Sequence, residues 1–496
     1  MKHCKQHILM CLCFAVCLFA TAQQGSLQDA SRHNTLHNDT LSAAASKLLN
    51  TIIQTATDTS LVLIGDISVH GNKKTQPYII EREIPFKQGD YILRKDLEKN
   101  LLLAEERVRN TALFTQVFVY IANAQGNIVF INVDVQERWY IFPLPYFKLV
   151  DRNFNQWWVE QKASINRVNY GIKFSYNNVS GRNDKLNVYL INGYSQQVLL
   201  RYEQPFADKA LKNGFSVMFN FSHQRELNYA TELNKQSFFK QKEYVMQNMK
   251  VEGSYLYRPA IKTQHRFSIA YVRNQVSDTI LHLNPHYYPA NTGNRIAYPE
   301  ASYVVRYFDA DYNAYPRKGI VADAGILNRG FSKEMNLTQL GYHVNFATPL
   351  NKRTHLLLQS SGMIKFPFRQ PFYNQQIFGY GGTYFRGLEY YISDGIAGVM
   401  GRATLHTQIF GVTFKTPPNS KKEISIPFKF YLKAGADMGY VYSRTAGNNL
   451  LANKPIYTET IGLDIVIPSY DIVFKINYSF NQLGQSGLFL HTRGDF

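Results

Sequence analysis

Near its C-terminus the chain reads Ile472-Val473-Phe474-Lys475-Ile476-Asn477-Tyr478-Ser479-Phe480. In an extended strand Ile472, Phe474, Ile476, Tyr478 and Phe480 share one face, and Lys475, Asn477 and Ser479 share the other. The same period of two recurs in Val168–Tyr176, Leu186–Leu190, Phe267–Tyr271 and Phe428–Ala436. A soluble sheet also alternates, so the pattern alone leaves two readings open. The run is very long, from about Tyr140 to the last residue, and it is rich in rings: 34 Tyr and 33 Phe bring aromatics to 14% of the chain. It also follows an export signal. A transmembrane barrel accounts for all of this, because its outer face meets lipid, its lumen is polar and closure pairs every backbone N–H and C=O.

The export signal occupies residues 1–22, with basic Lys2 and Lys5, an apolar core Ile8–Phe19 and the small-residue site Ala20-Thr21-Ala22. All four cysteines (Cys4, Cys11, Cys13, Cys17) lie within it, so the exported chain has no thiol for disulfides or Cys-based metal sites. After the signal, no apolar stretch approaches the ~18–20 residues that a membrane helix needs. The net charge of +18 is scattered rather than gathered into a stripe, which argues against nucleic acid and suits solvated loops beside anionic headgroups.

Residues 23–60 form a polar linker, with partial helical spacing over Leu41–Ala56 that is either incidental or a short plugging helix. Residues 61–138 form a compact α/β module. Leu63–His70 predicts a strand, Gly71-Asn72 a turn, Thr75 the cap of a helix reaching about Ile84, and Gly89-Asp90 a second turn. Arg94–Asn110 predicts an amphipathic helix, and 116–122 and 128–135 predict two strands, giving the order βααββ. The set Gly71-Asn72, Arg82, Gly89-Asp90, Leu113-Phe114-x-x-Val117 and Val133-x-Val135-x-Glu137 resembles a POTRA domain. Such periplasmic modules take an extended client by strand addition to an open edge. Read from the residues alone, Gly89, Leu113 and Phe114 serve the fold.

Residues 139–496 predict about sixteen strands at ~9–11 residues per crossing. These include 141–150, 301–309, 398–411 and 427–442, with polar stretches near 224–243, 276–300 and 443–456 read as outer loops. The fold class is therefore mainly β, a 16-stranded antiparallel transmembrane barrel behind one periplasmic POTRA domain.

One long loop, about 365–396, differs from the rest. It contains Phe378-Gly-Tyr-Gly381-Gly382-Thr-Tyr-Phe385-Arg386-Gly387-Leu388, where glycines permit close packing and a buried Arg386 needs an acceptor. On the strand over 427–442, Phe428, Phe430, Leu432, Ala434 and Ala436 face outward. Asp437 then faces the lumen, where a folded-back loop could present Arg386 to it in a bidentate pair.

These residues resemble the BamA/TamA-type outer-membrane assembly factors. In that family an inward loop carries Arg-Gly-Phe after glycines, matched here by Gly381, Gly382, Arg386 and Gly387, with Leu388 in place of the Phe. Asp437-Met438-Gly439 resembles the family's Asp-x-Gly, and His406 is the nearest counterpart of an acidic residue one strand earlier. Pro143 and Pro145 sit at alternate positions, either in the first strand or in the linker before it. With the glycine-punctuated last strand (Gly487) they resemble a lateral seam, and Phe496 resembles the terminal signal by which barrels are assembled.

No G-x-S-x-G, H-E-x-x-H or P-loop occurs, so no enzyme, cofactor or metal is expected. The resemblance implies a cell outer membrane location in a Gram-negative envelope and insertion or translocation of other polypeptides. Implied partners are unfolded outer-membrane protein clients, outer-membrane lipids including lipopolysaccharide, and periplasmic chaperones or accessory lipoproteins. A two-partner secretion exporter, a passive or structural barrel and a lipid-translocating barrel are the alternatives.

Overall fold

A computed structural model describes residues 59–149, 167–290, 292–332, 335–380, 383–415 and 425–493. The export signal, the 41–56 segment, Gly381, Gly382 and Phe496 lie outside the described residues.

The first module contains β1 (Leu61–His70), α1 (Pro77–Glu81), β2 (Tyr91–Leu93), α2 (Arg94–Asn110), β3 (Phe114–Gln125) and β4 (Ile128–Glu137). Its sheet order is β2-β1-β4-β3, with β1 parallel to β4. Leu97, Leu101, Ala104 and Val108 form the buried stripe of α2 and pack on Val62, Ile64, Val129, Ile131 and Val133. Two details depart from the sequence reading. Short strand β2 lies between the helices, and α1 is capped at Gln76, with Pro77 opening it. The Thr75 hydroxyl is used elsewhere, 3.1 Å from the Tyr140 hydroxyl and accepting from Asn178 Nδ2 at 2.9 Å.

Sixteen strands follow in one antiparallel sheet. They are β5 (Ile141–Leu149), β6 (Val168–Asn177), β7 (Lys185–Gly193), β8 (Gln196–Gln204), β9 (Asn213–Gln224), β12 (Met246–Tyr257), β13 (Thr263–Val276) and β14 (Arg295–Ala310). Next come β15 (Gly319–Arg329), β16 (Leu337–Pro349), β17 (Thr354–Phe366), β20 (Ala397–Lys415), β21 (Ser425–Tyr442), β22 (Pro455–Ile467), β23 (Ile472–Asn481) and β24 (Ser486–Arg493). Stretches read as plain loops hold more structure: a hairpin β10 (Glu226–Glu232) and β11 (Lys235–Lys240), and helix α3 (Asp278–Leu283). Strand β14 begins at Arg295, ahead of the expected 301. The long loop carries the short pair β18 (Gln376–Phe378) and β19 (Ser393–Asp394).

The two faces of the sheet invert the usual rule. Ile269 is 73% and Leu488 71% exposed, whereas Asp437 and Ser479 are at 0%. Polar side chains fill the inside and apolar ones coat the outside, as hydrocarbon solvent requires. Among the described residues, strand order runs from β24 to β5. The sheet curls, because both ends of that order reach the first module. Asn178, in the β6–β7 turn, bonds Thr75, while Arg138 donates to Asp471 in the β22–β23 turn at 2.7 Å.

Candidate functional site: an arginine loop inside the sheet

The loop folds inward because it has its own apolar core. Ile377, Phe378, Phe385 and Leu388 are buried with Met400 and Val441 from the sheet wall. Gly379 (φ +90°) lets the chain pass so close that a Cβ would sit 2.6 Å from the Tyr391 carbonyl oxygen. Gly439 on β21 is required by contact: a Cβ there would meet the Phe385 ring at 2.5 Å. The Asp-x-Gly sequence thus supplies both the carboxylate and the space for the loop's phenylalanine.

Arg386 is 5% exposed and fully engaged. Its backbone N–H donates to Asp437 Oδ2 at 2.9 Å, Nε donates to Oδ1 at 2.9 Å and Nη2 to Oδ1 at 2.5 Å. Nη1 donates to Thr404 Oγ1 at 3.1 Å. Sequence reasoning missed Arg402, which donates to the same carboxylate through Nε (3.0 Å) and Nη2 (2.9 Å) and also reaches the Tyr384 carbonyl (2.7 Å). The sequence signals only its lumen-facing parity; the β20–β21 register sets Arg402 opposite Asp437. One carboxylate therefore binds two guanidiniums, and the trio keeps a net positive charge. The arrangement holds a loop in place, and it aligns no nucleophile with a base.

His406 does not join this group. Its Nε2 lies 3.5 Å from Asp464 Oδ2, and its ring stacks on His355 with centroids 4.8 Å apart. Asp464 also accepts from the Tyr315 hydroxyl (3.1 Å) and pairs with Lys433. The expectation that His406 contacts the loop arginine is corrected: register carries it past Arg386 to the neighbouring carboxylate. A cavity of about 60 Å³ separates this second cluster from Arg386 and Arg402.

Below the sheet, the first module is fastened to its turns. Glu83 is buried and accepts from Arg258 Nη1 (2.6 Å) and Nη2 (2.9 Å) and from Arg82 Nη1 (2.9 Å). Arg82 Nε donates to the Leu211 carbonyl at 2.8 Å. Asn110 Nδ2 donates to the Ala310 carbonyl at 3.2 Å, and its Oδ1 accepts from Asn313 N–H at 3.1 Å. Glu106, on the same helix, is pushed above the ordinary carboxylate range by burial first and then by the charge of Asp311.

The other motif residues of this module hold its fold. Gly71 (φ +86°) crosses Val135 so closely that a Cβ would sit 2.0 Å from its carbonyl oxygen. Asn72 Nδ2 donates to the Thr75 carbonyl (2.9 Å), and Glu137 Oε1 accepts from Lys74 N–H (3.0 Å) and Thr75 N–H (2.7 Å). Gly89 turns with φ +90°, and Leu113, Phe114 and Val117 are core.

Pro143 and Pro145 lie inside β5, opposite Phe174 and Ile172. Tyr140 O accepts from Asn177 N–H at 2.8 Å, so even positions bond β6 and both prolines face the free edge. Gly487 lies on β24, at the other end of the order, and pairs with Ser479 of β23.

Residues 62–138 match the family model "POTRA: Surface antigen variable number repeat". No curated protein matches the chain in sequence. Similar solved structures include BamA from Haemophilus ducreyi lacking POTRA domains 1-3, at 14% identity over 87% of this chain and 84% of that one, with TM-score 0.49. Another is CdiB from Escherichia coli, at 10% identity over 87% and 75% of the two chains, also with TM-score 0.49. CdiB from Acinetobacter baumannii reaches 14% identity over 87% and 73%, with TM-score 0.44. What carries weight is the POTRA match combined with the strand order. The chain thus carries a POTRA domain over residues 62–138, joined to a sixteen-stranded antiparallel sheet.

Proposed function

We propose that this protein sits in the outer membrane of a Gram-negative envelope and assists assembly or translocation of other polypeptides, β-barrel clients foremost. The observation that carries this reading is the inward loop held by Arg386 on Asp437 above a POTRA domain fastened to the sheet's turns. A passive pore has no use for a loop clamped by a buried ion pair, which costs desolvation without adding conduction. The POTRA would receive an extended client at the open edge of β3, which has a neighbour on one side only. Insertion is then driven by burying apolar strands in lipid and pairing their backbone groups. No covalent chemistry, cofactor or metal enters this scheme. Lipopolysaccharide-bearing lipid, periplasmic chaperones and accessory lipoproteins are the proposed surroundings.

The test is Arg386→Ala followed by quantification of the outer-membrane proteome. Client barrels should decline more than the variant's own membrane integration does. Equal loss of both would reduce the loop to a folding element. Loss of a secreted protein with the barrels intact would favour a two-partner exporter.

A further inference from the structure

The inner loop is gripped from two sides, and the second grip falls on the C-terminal hairpin. Asn481 Nδ2 donates to the Gly387 carbonyl at 2.7 Å, and the Tyr391 hydroxyl donates to Gln485 Oε1 at 2.9 Å. Glu389 Oε1 lies 3.3 Å from His491 Nε2 on β24. Two ring contacts accompany them: Tyr384 with His491, centroids 5.0 Å apart, and Tyr390 with Phe489, 5.8 Å apart. Strand β24 ends the strand order, opposite the edge where the prolines of β5 point. The loop therefore reaches from Asp437 on β21 directly onto the terminal strand.

Of these contacts, one depends on a proton. The Glu389–His491 pair is ionic only while the imidazole is protonated. Glu389 Oε2 is buried without a hydrogen-bond partner, so this carboxylate has little else to compensate its desolvation. The groups facing His491 are Glu389 and Tyr384 from the loop and Lys475, its register partner on β23. Arg402 stands behind the Tyr384 ring, and Lys475 is opposed in turn by Asp464 on β22. Arg402 shares Asp437 with Arg386, and Lys475 lies opposite Asp464, which leaves Glu389 as the carboxylate in direct contact with the imidazole.

We infer that the loop is a proton-dependent clasp on the last strand. With His491 protonated, Glu389 ties β24 to the loop. With His491 neutral, the ionic tie is lost and β24 keeps the ladder to β23, while the two neutral hydrogen bonds still hold the hairpin at Asn481 and Gln485. The inference goes beyond the proposed function and does not depend on what the protein handles, so either can fail without the other.

Backbone amide exchange of residues 486–493 in the full-length protein in detergent micelles tests it, with rates corrected for the intrinsic effect of pH. Protection of β24 should be about fivefold higher at about pH 5.5 than at about pH 8, the scale of a partly exposed ion pair. Glu389→Gln and His491→Gln should each remove that step while leaving β21 and β22 unchanged. Tyr391→Phe should lower protection equally at both pH values and keep the step. If Glu389→Gln fails to fold, His491→Gln and Tyr391→Phe carry the test. An unvarying β24 in the parent protein, or a pH step that survives His491→Gln, would overturn the clasp.

Discussion

Asp437→Asn is the most informative single change, because one carboxylate serves two guanidiniums. The variant keeps the shape of the side chain and deletes the charge. Arg386 and Arg402 then face each other with no compensating anion, Arg386 at 5% exposure. Removing one partner of a buried ion pair costs about 3–5 kcal/mol. Arg402 is less enclosed, with 17% of its side chain exposed, and recovers part of its hydration. About 4 kcal/mol against the docked loop is therefore a fair scale, close to a thousandfold shift in the docked-to-undocked ratio. The Arg386–Gly387 bond is itself a trypsin site, hidden while the loop is docked. Limited trypsinolysis of the protein in vesicles should therefore cleave after Arg386 at least about a hundredfold faster in the variant. Arg402→Met, which leaves one guanidinium on one carboxylate, should change cleavage by less than about tenfold. Cleavage of Asp437→Asn within a few-fold of the parent would refute the reasoning. It would mean that the Phe385 and Leu388 packing and the hairpin contacts hold the loop without the ion pair.

Glu83→Gln should free the POTRA domain from the β12–β13 turn, lowering amide protection at residues 258–262 and leaving the sheet interior unchanged. Gly71→Ala should destabilise the POTRA domain by about 2–4 kcal/mol, read as lost amide protection over β4, because φ +86° and the Val135 carbonyl both reject a Cβ. Glu106 has a raised pKa, so its ionised form opposes the folded state above that pKa and the penalty disappears on acidification. Glu106→Gln should thus raise the melting temperature slightly at neutral pH and converge with the parent at acid pH. Planar-bilayer recordings should show the resting protein closed, since the β10–β11 hairpin is bonded to the neighbouring outer loops through Asn234, Ile392 and Leu451.

The strands were legible because lipid outside and water inside impose a period of two on every crossing, from Val168–Asn177 to Ile472–Asn481. Helix α2 was equally plain, with its buried stripe Leu97, Leu101, Ala104 and Val108. The outer hairpin over 226–240 escaped notice because its apolar face is short: Leu227, Tyr229 and Phe239 pack on a small cluster with Val245 and Ile280, too few positions to set a period. Arg386 and Asp437 could be paired from residue type and facing parity. The second arginine could not, because parity puts Arg402 in the lumen but only strand stagger puts it level with Asp437. His406 shows the same limit from the other side. Its lumen orientation follows from the pattern, while its partner Asp464 lies two strands away in the sheet order and is invisible without the register.

The central physical claim is that the outside of this sheet is wetted by lipid and its inside is polar. Residues 23–496 contain no cysteine, so single cysteines carrying an environment-sensitive dye can be placed at will. Dye at Ile269, Leu432, Ile461 or Leu488, all exposed, should be quenched by a nitroxide confined to the lipid tails. Dye at Thr460 or Asn477, both buried in the interior, should be untouched by it. Quenching at the inward positions, or at neither set, would contradict the account.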